Sequence, residues 1–261
     1  MTLHQHIGAD YGLIGRPLEH SRSKAFFARL FANERSNERY ENFELDELSA
    51  DTIRNMLAAN PALRGFNVTA PYKVEIMSFL DSLSPESERT GAVNTVKIIR
   101  NTVGDICALE GYNTDVAGFR ESVREMAEAL ASGEGAIVLG TGGASKAVAE
   151  ALRQLGIRTI HVSRAKQNDG IISYGDIDSA IIAANKLIIN ATPLGTYPNT
   201  DECPPFPYRL LTEKNLCHDL VYNPDETEFM RRCSAMGAKV KNGLEMLHLQ
   251  ALASLKIWRT P

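Results

Sequence analysis

Cysteine is scarce and unpatterned: the 261 residues hold four, Cys107, Cys203, Cys217 and Cys233, with no C-x-x-C spacing among them. That excludes a disulfide framework and points to reduced thiols in a cytoplasmic protein. The six histidines form no H-E-x-x-H or similar cluster, so no metal site is expected. Neither sign of charge dominates, 28 Lys and Arg standing against 32 Asp and Glu for a net −4. This argues against nucleic acid or an anionic membrane as the main partner. No stretch approaches the roughly 18 apolar residues of a membrane span, and Met1 to His6 carries no apolar signal core. Internal repeats and low-complexity tracts are missing too. What is left is a soluble chain, long enough for one large domain or two small ones, with a small-molecule substrate and a monomer or homodimer expected.

The most informative stretch that is present runs from Ala136 to Gly156. Ala136 to Leu139 reads as a buried parallel strand, three glycines turn the chain, and Val148, Leu152 and Leu155 follow at helical spacing. Gly156 stands where a helix ends. Strand, glycine turn and helix make the nucleotide-binding start of a βαβ unit. Gly140 permits the tight turn, Gly142 lets backbone approach a pyrophosphate, and the helix start offers N–H groups to that anion. The match to G-x-G-x-x-G is imperfect, because Ser145 occupies the third glycine position. Thr159 to Val162 reads as the next strand, ending in Ser163, Arg164 and Lys166 with no acid to hold a ribose 2′-hydroxyl. A cation there suits a 2′-phosphate, so NADP is the expected cofactor. Lys186 to Thr192 is a third strand, running into a turn suited to the nicotinamide end. The Pro-rich loop from Asn199 to Tyr208 is expected to be mobile or surface-bound.

Before this region, Tyr11 to Gly15 reads as a strand, followed by a helix bearing Phe26, Phe27, Leu30 and Phe31. Ser21 and Ser23 precede that helix, and either one of them is its N-cap or both hold a hydroxylated ligand. Leu63 to Val68 reads as a strand, with Thr69 and Pro71 opening a helix. Lys73 shares that helix's apolar stripe with Ile76, Met77 and Leu80. An ammonium there needs a partner or a cleft, unless it snorkels from the first turn. Asn94 sits in a probable strand, where asparagine is disfavoured. Asp115 starts a long helix with Val116, Phe119, Val123, Met126 and Leu130 on one face, and is its N-cap or a site carboxylate. Gln250 borders the apolar stripe of Leu247, Ala251, Leu255 and Trp258, where covering would force its amide to find partners.

In this order the motifs resemble those of the shikimate dehydrogenase family, from about Tyr11 to Ala251. They are S-x-S at Ser21 and Ser23, N-V-T-A-P-Y-K at Asn67 to Lys73, G-A-V-N-T at Gly91 to Thr95, and G-Y-N-T-D at Gly111 to Asp115. G-T-G-G-A at Gly140 to Ala144, N-A-T-P-L-G at Asn190 to Gly195, Y-N-P-x-x-T at Tyr222 to Thr227, and G-L-E-M-L-H-L-Q-A at Gly243 to Ala251 complete the set. The resemblance implies an α/β fold of two α/β domains with a cleft between them. Residues 1–114 plus 244–261 would form a substrate domain with a mixed sheet, and residues 115–243 a Rossmann-like NADP domain. It implies Lys73 and Asp115 as the catalytic pair, with Ser21, Ser23, Asn67, Thr69, Asn94, Tyr222 and Gln250 binding shikimate. Gly140, Thr141, Gly142, Gly143, Ala144, Ser163, Arg164, Lys166, Thr192 and Gly243 would hold NADP. The implied reaction is reversible, NADPH-dependent reduction of 3-dehydroshikimate to shikimate in aromatic amino-acid biosynthesis. The alternatives are an NAD-linked quinate/shikimate dehydrogenase and a non-catalytic ligand-binding relative. Three positions depart from the family pattern: Lys24 replaces a proline, a second arginine is missing near Asn168, and Thr196-Tyr197 follow the N-A-T turn.

Overall fold

Short apolar runs become strands buried along their whole length, among them Tyr11–Gly15, Gly65–Val68 and Ala136–Leu139, and around them the chain builds two six-stranded sheets. The computed structural model describes residues 8–19, 21–164 and 170–260. They divide into two units, Met1–Thr114 with Ala251–Pro261, and Asp115–Gln250.

The first unit contains β1 (Tyr11–Gly15), α1 (Ser23–Asn33), β2 (Tyr40–Glu44), α2 (Ala50–Ala59), β3 (Gly65–Val68), β4 (Ser82–Leu83), α3 (Pro85–Thr90), β5 (Thr95–Arg100) and β6 (Ile106–Tyr112). Its sheet runs β2-β1-β3-β5-β6-β4. β1 is parallel to β2 and β3, β5 is antiparallel to β3 and β6, and the sheet is therefore mixed. Alternation along β1 sorts its side chains onto two faces. Ile14 joins Phe66, Val68 and the buried Ile53, Met56 and Leu57 of α2. Tyr11 and Leu13 join Phe27 and Phe31 of α1, with Leu255 and Trp258 from the end of the chain.

The second unit contains α4 (Thr114–Ser122), α5 (Arg124–Glu128), β7 (Ala136–Leu139), α6 (Gly143–Gln154), β8 (Thr159–Ser163), β9 (Ile171–Ser173), α7 (Ser179–Ala184), β10 (Leu187–Asn190), β11 (Leu216–Asp219), α8 (Glu228–Ala235), β12 (Lys239–Lys241) and the start of α9 (Leu244–Arg259). Every pairing in its sheet, β12-β11-β10-β7-β8-β9, is parallel. Both faces of such a sheet must be covered. Ala136 and Val138 pack with Val116 and Phe119 of α4 and Val148, Ala151 and Leu152 of α6. Ile137 and Leu139 pack on the other face with Ile182 of α7 and Phe229 and Cys233 of α8. This is the doubly wound arrangement that the glycine turn after Leu139 implied.

Four local expectations are corrected. Thr69 to Lys73 do not open an α-helix: the segment is a turn leading into a 3-10 helix at Glu75–Phe79. Tyr72 holds it, its N–H bonded to the Thr69 carbonyl at 3.0 Å and its phenol donating to the Leu45 carbonyl at 2.8 Å. The long helix from Asp115 is two helices, α4 and α5, meeting at Val123, whose N–H still bonds the Phe119 carbonyl at 2.9 Å and whose φ and ψ are −95° and −2°. Asn94 lies one residue before β5 rather than within a strand. The Pro-rich segment is not merely a surface loop, since Phe206 is buried and Tyr208 meets Phe229 edge-on with centroids 6.1 Å apart.

Candidate active site

In the first unit the predicted site residues gather where β3 and β5 meet the chain leaving β6. Asn67 is buried on β3. Its Oδ1 accepts from the Tyr40 phenol at 2.8 Å, and its Nδ2 lies 2.9 Å from Ser254 Oγ, 3.0 Å from Thr95 Oγ1 and 3.1 Å from the Asn94 carbonyl. An amide engaged on both ends is oriented, not adaptable. Asn94 is fixed differently. The Thr114 N–H, an obligatory donor, reaches its Oδ1 at 2.7 Å, and the Thr114 and Thr95 hydroxyls reach the same atom at 3.1 Å. The Asn94 oxygen must therefore face Thr114, and its NH2 group is turned the other way as a donor. Lys73, half-buried, is anchored through its carbonyl, which accepts from the Val93 N–H at 2.8 Å. Thr69 follows β3 directly, its N–H bonded to the Ile14 carbonyl at 2.9 Å.

Ser21 and Ser23 flank the start of α1. The cap position itself is Arg22, which makes no side-chain cap bond, while Ser21 Oγ accepts from the Ser23 N–H at 3.3 Å. Burial holds the pKa of the Tyr40 phenol well above the usual tyrosine range, and the Ser23 hydroxyl works against that rise.

In the second unit Asp115 is the second residue of α4, with Thr114 ahead of it, so it is not the cap. Gly140 has φ +106°, a conformation favouring glycine. Gly142 caps α6 without any side-chain bond, and Thr141, Gly142, Gly143 and Ala144 are exposed. A Cβ on Gly142 or Gly143 would meet no atom within 4 Å. The first turn of α6 thus presents backbone N–H groups to open space, as a bound pyrophosphate requires. Ser145 fills the third fingerprint position by bonding: its Oγ donates to the Gly140 carbonyl at 2.7 Å and lies 3.1 Å from His161 Nδ1. Burial pushes the His161 pKa down. Ser163 ends β8, nearly buried, and Arg164 follows it, exposed. Lys166 lies outside the described residues.

Thr192 stands beyond β10, its N–H 3.0 Å and its hydroxyl 2.6 Å from Asn190 Oδ1. Asn190 Nδ2 donates in turn to the buried Asp219 at 2.9 Å, and Asp219 also accepts from the Thr227 hydroxyl at 2.6 Å and the Val221 N–H at 3.0 Å. One carboxylate thereby ties the turn carrying Thr192 to the loop carrying Tyr222. Gly243 lies against that loop, where a Cβ would stand 2.0 Å from the Leu220 carbonyl oxygen. Gln250 donates its amide to the Leu247 carbonyl at 2.9 Å, and its stem covers Gly118. Sequence reading missed Tyr40, Ser254 and Asp219. Among the described residues no three of His, Cys, Asp and Glu are grouped to hold a metal, and no helix is long and apolar enough to cross a membrane.

A mixed-sheet unit and a parallel Rossmann-like unit, with an uncapped glycine turn at the end of β7, define a two-unit α/β protein of the dinucleotide-dependent oxidoreductase class. Residues 13–96 match the family model described as the shikimate dehydrogenase substrate binding domain. Over 95% of the chain, and 88% of the relative, 36% of residues are identical to shikimate dehydrogenase (NADP(+)) from Desulforamulus reducens. The chain belongs to the shikimate dehydrogenase family. A solved shikimate 5-dehydrogenase from Thermus thermophilus, in complex with NADP(H) and shikimate, superposes with a TM-score of 0.81 at 32% identity, covering 96% of this chain and 93% of its own. Quinate dehydrogenase from Corynebacterium glutamicum, in complex with NAD, gives a TM-score of 0.82 at 25% identity, covering 97% and 94%.

Proposed function

We propose that this chain catalyses the reversible reduction of 3-dehydroshikimate to shikimate with NADPH, in the cytoplasm, as a monomer or homodimer that engages neither nucleic acid nor membrane. The observation that carries the reading is a short chain of bonds. The Lys73 carbonyl holds the Val93 N–H at 2.8 Å, and the next residue, Asn94, holds the Thr114 N–H at 2.7 Å. Asp115 follows Thr114 directly. A lysine, an amide donor and a carboxylate are thus carried on backbone segments linked by two hydrogen bonds.

The first turn of α6, Gly140 to Ala144, would hold the cofactor's pyrophosphate, Ser163 and Arg164 its 2′-phosphate, and Thr192 and Gly243 its remaining length. When bound, the reduced nicotinamide supplies hydride to the carbonyl carbon. Lys73 gives the proton to the carbonyl oxygen, and Asp115 orients Lys73 and grips a neighbouring hydroxyl. Asn94, with its oxygen turned to Thr114, donates to a substrate hydroxyl. Ser21, Ser23, Asn67, Thr69, Tyr222 and Gln250 complete the binding set. The likeness to a quinate dehydrogenase in complex with NAD makes an NAD-linked quinate/shikimate enzyme the second reading, against which stands the absence of an acid around Ser163. Turnover of shikimate and quinate, each with NADP and NAD, tests both. NADP with shikimate should lead NAD by roughly ten- to a hundredfold, the worth of one charge-assisted bond. Preferred turnover of quinate with NAD would replace the first reading by the second.

A further inference from the structure

Tyr40 belongs to none of the motifs, yet its hydroxyl lies between two residues of the proposed substrate set. It is buried on β2, its ring stacked on Phe27 with centroids 4.3 Å apart and planes inclined by 15°. The hydrogen inventory around it has one solution. Asn67 Oδ1 can only accept, so the phenol at 2.8 Å must spend its single proton there. Toward the Ser23 hydroxyl, which pulls the phenol pKa down against burial, the same oxygen can therefore only accept. Asn67 is held from its other end by Ser254, 2.9 Å from Nδ2, and Ser254 is itself 2.8 Å from Thr95 and 3.1 Å from Thr114. Thr95 and Thr114 are the residues that fix Asn94. A buried line of polar groups thus runs from Tyr40 through Asn67 and Ser254 to Asn94, with the half-buried Ser23 beyond its Tyr40 end. An apolar core would need none of them, and a partly satisfied network would be costly.

We propose that Tyr40, with Ser254 closing the far side of the Asn67 amide, is a positioning residue that sets the Ser23 hydroxyl and the Asn67 side chain for the substrate. This rests on the shikimate reading above. Tyr40 contacts no reacting atom, so its loss should weaken substrate binding and leave the chemical step alone. Tyr40→Phe should raise KM for shikimate about three- to tenfold, the scale of one neutral hydrogen bond. Its kcat should stay within about twofold and its KM for NADP should not move. Ser23→Ala should raise the same KM, and the double variant should fall short of the product of the two single effects, because they share one contact. Phe27→Leu disturbs the same stack without touching a hydroxyl, and should lower the melting temperature with KM unchanged.

A wild-type enzyme inactive toward shikimate would remove the functional reading itself. An active wild type whose Tyr40→Phe variant keeps its shikimate KM, or raises both KM values together, would overturn the positioning role alone. Multiplying effects in the double variant would do the same. Should Tyr40→Phe not fold, Ser254→Ala opens the clamp from the other side and must show the same KM split; an unchanged shikimate KM there would contradict the proposal.

Discussion

A lysine that acts as an acid must deliver one proton to one atom, and its loss is felt in kcat before it is felt in binding. Lys73→Ala should lower kcat by on the order of 10²–10⁴, the usual range for general acid–base catalysis, while shikimate and NADP still bind through the remaining hydroxyl and amide contacts. Arg164→Ala should raise KM for NADP by roughly ten- to a hundredfold and leave NAD turnover nearly unchanged. An unmoved NADP KM would take the 2′-phosphate away from Arg164. Both roles are proposed from the sequence, where a charge stands out after a strand. Tyr40 was not, since the Asn67 that explains it is 27 positions away. Asp219 was hidden for the same reason, its meaning lying in Asn190, 29 residues earlier.

At the scale of elements, the strands and the glycine turn were readable because each is defined by neighbouring residues, apolar runs closed by glycine. The turn at Thr69 to Lys73 was not. Its local pattern is helical, and the distant bonds from the Tyr72 phenol to the Leu45 carbonyl and from Val93 to the Lys73 carbonyl hold it as a turn. Gly243 shows the opposite case, a residue whose importance is purely a matter of room. Gly243→Ala forces a Cβ to within 2.0 Å of the Leu220 carbonyl oxygen. Overpacking of that kind costs about 1–3 kcal/mol, which a denaturation midpoint will register.

The end of β11 carries two buried titratable neighbours of opposite sense. Burial first, and the Lys241 charge second, push His218 down to about 3 from its usual 6.5. The histidine stays neutral in the fold, and its share of stability is lost as pH falls below 6.5. Burial raises Asp219 to about 6 from 3.8, against the opposing hydrogen bonds from Thr227, Val221 and Asn190. It binds its proton more tightly folded than unfolded, so it destabilises as pH rises from 3.8 through 6. Between pH 4 and 6 the two slopes oppose each other. Asp219→Asn should therefore leave the histidine unopposed, and its melting temperature should fall more steeply than wild type as pH is lowered from 6.5 toward 4. Equal slopes in the two proteins would show that the pair does not offset.

At the scale of the whole molecule, two sheets with separate cores divide the labour proposed for them. The first unit carries Lys73, Asn94 and the serines, the second the glycine turn and Asp115, and α9 passes from one to the other between Gln250 and Ala251. Composition argued only against nucleic acid and membrane as partners, and the ordered motifs, spread from Ser21 to Gln250, named the class. Carbonyl reduction with Lys73 as the proton donor is what both units are proposed to serve. Its most direct test follows NADPH consumption with 3-dehydroshikimate in the wild type and in Lys73→Ala, with shikimate binding to both measured in parallel. The wild type should oxidise NADPH, and the variant should bind shikimate while turning over at on the order of a hundredth of the rate or less. A wild type that leaves NADPH untouched, or a variant that keeps more than about a tenth of wild-type kcat, would contradict it.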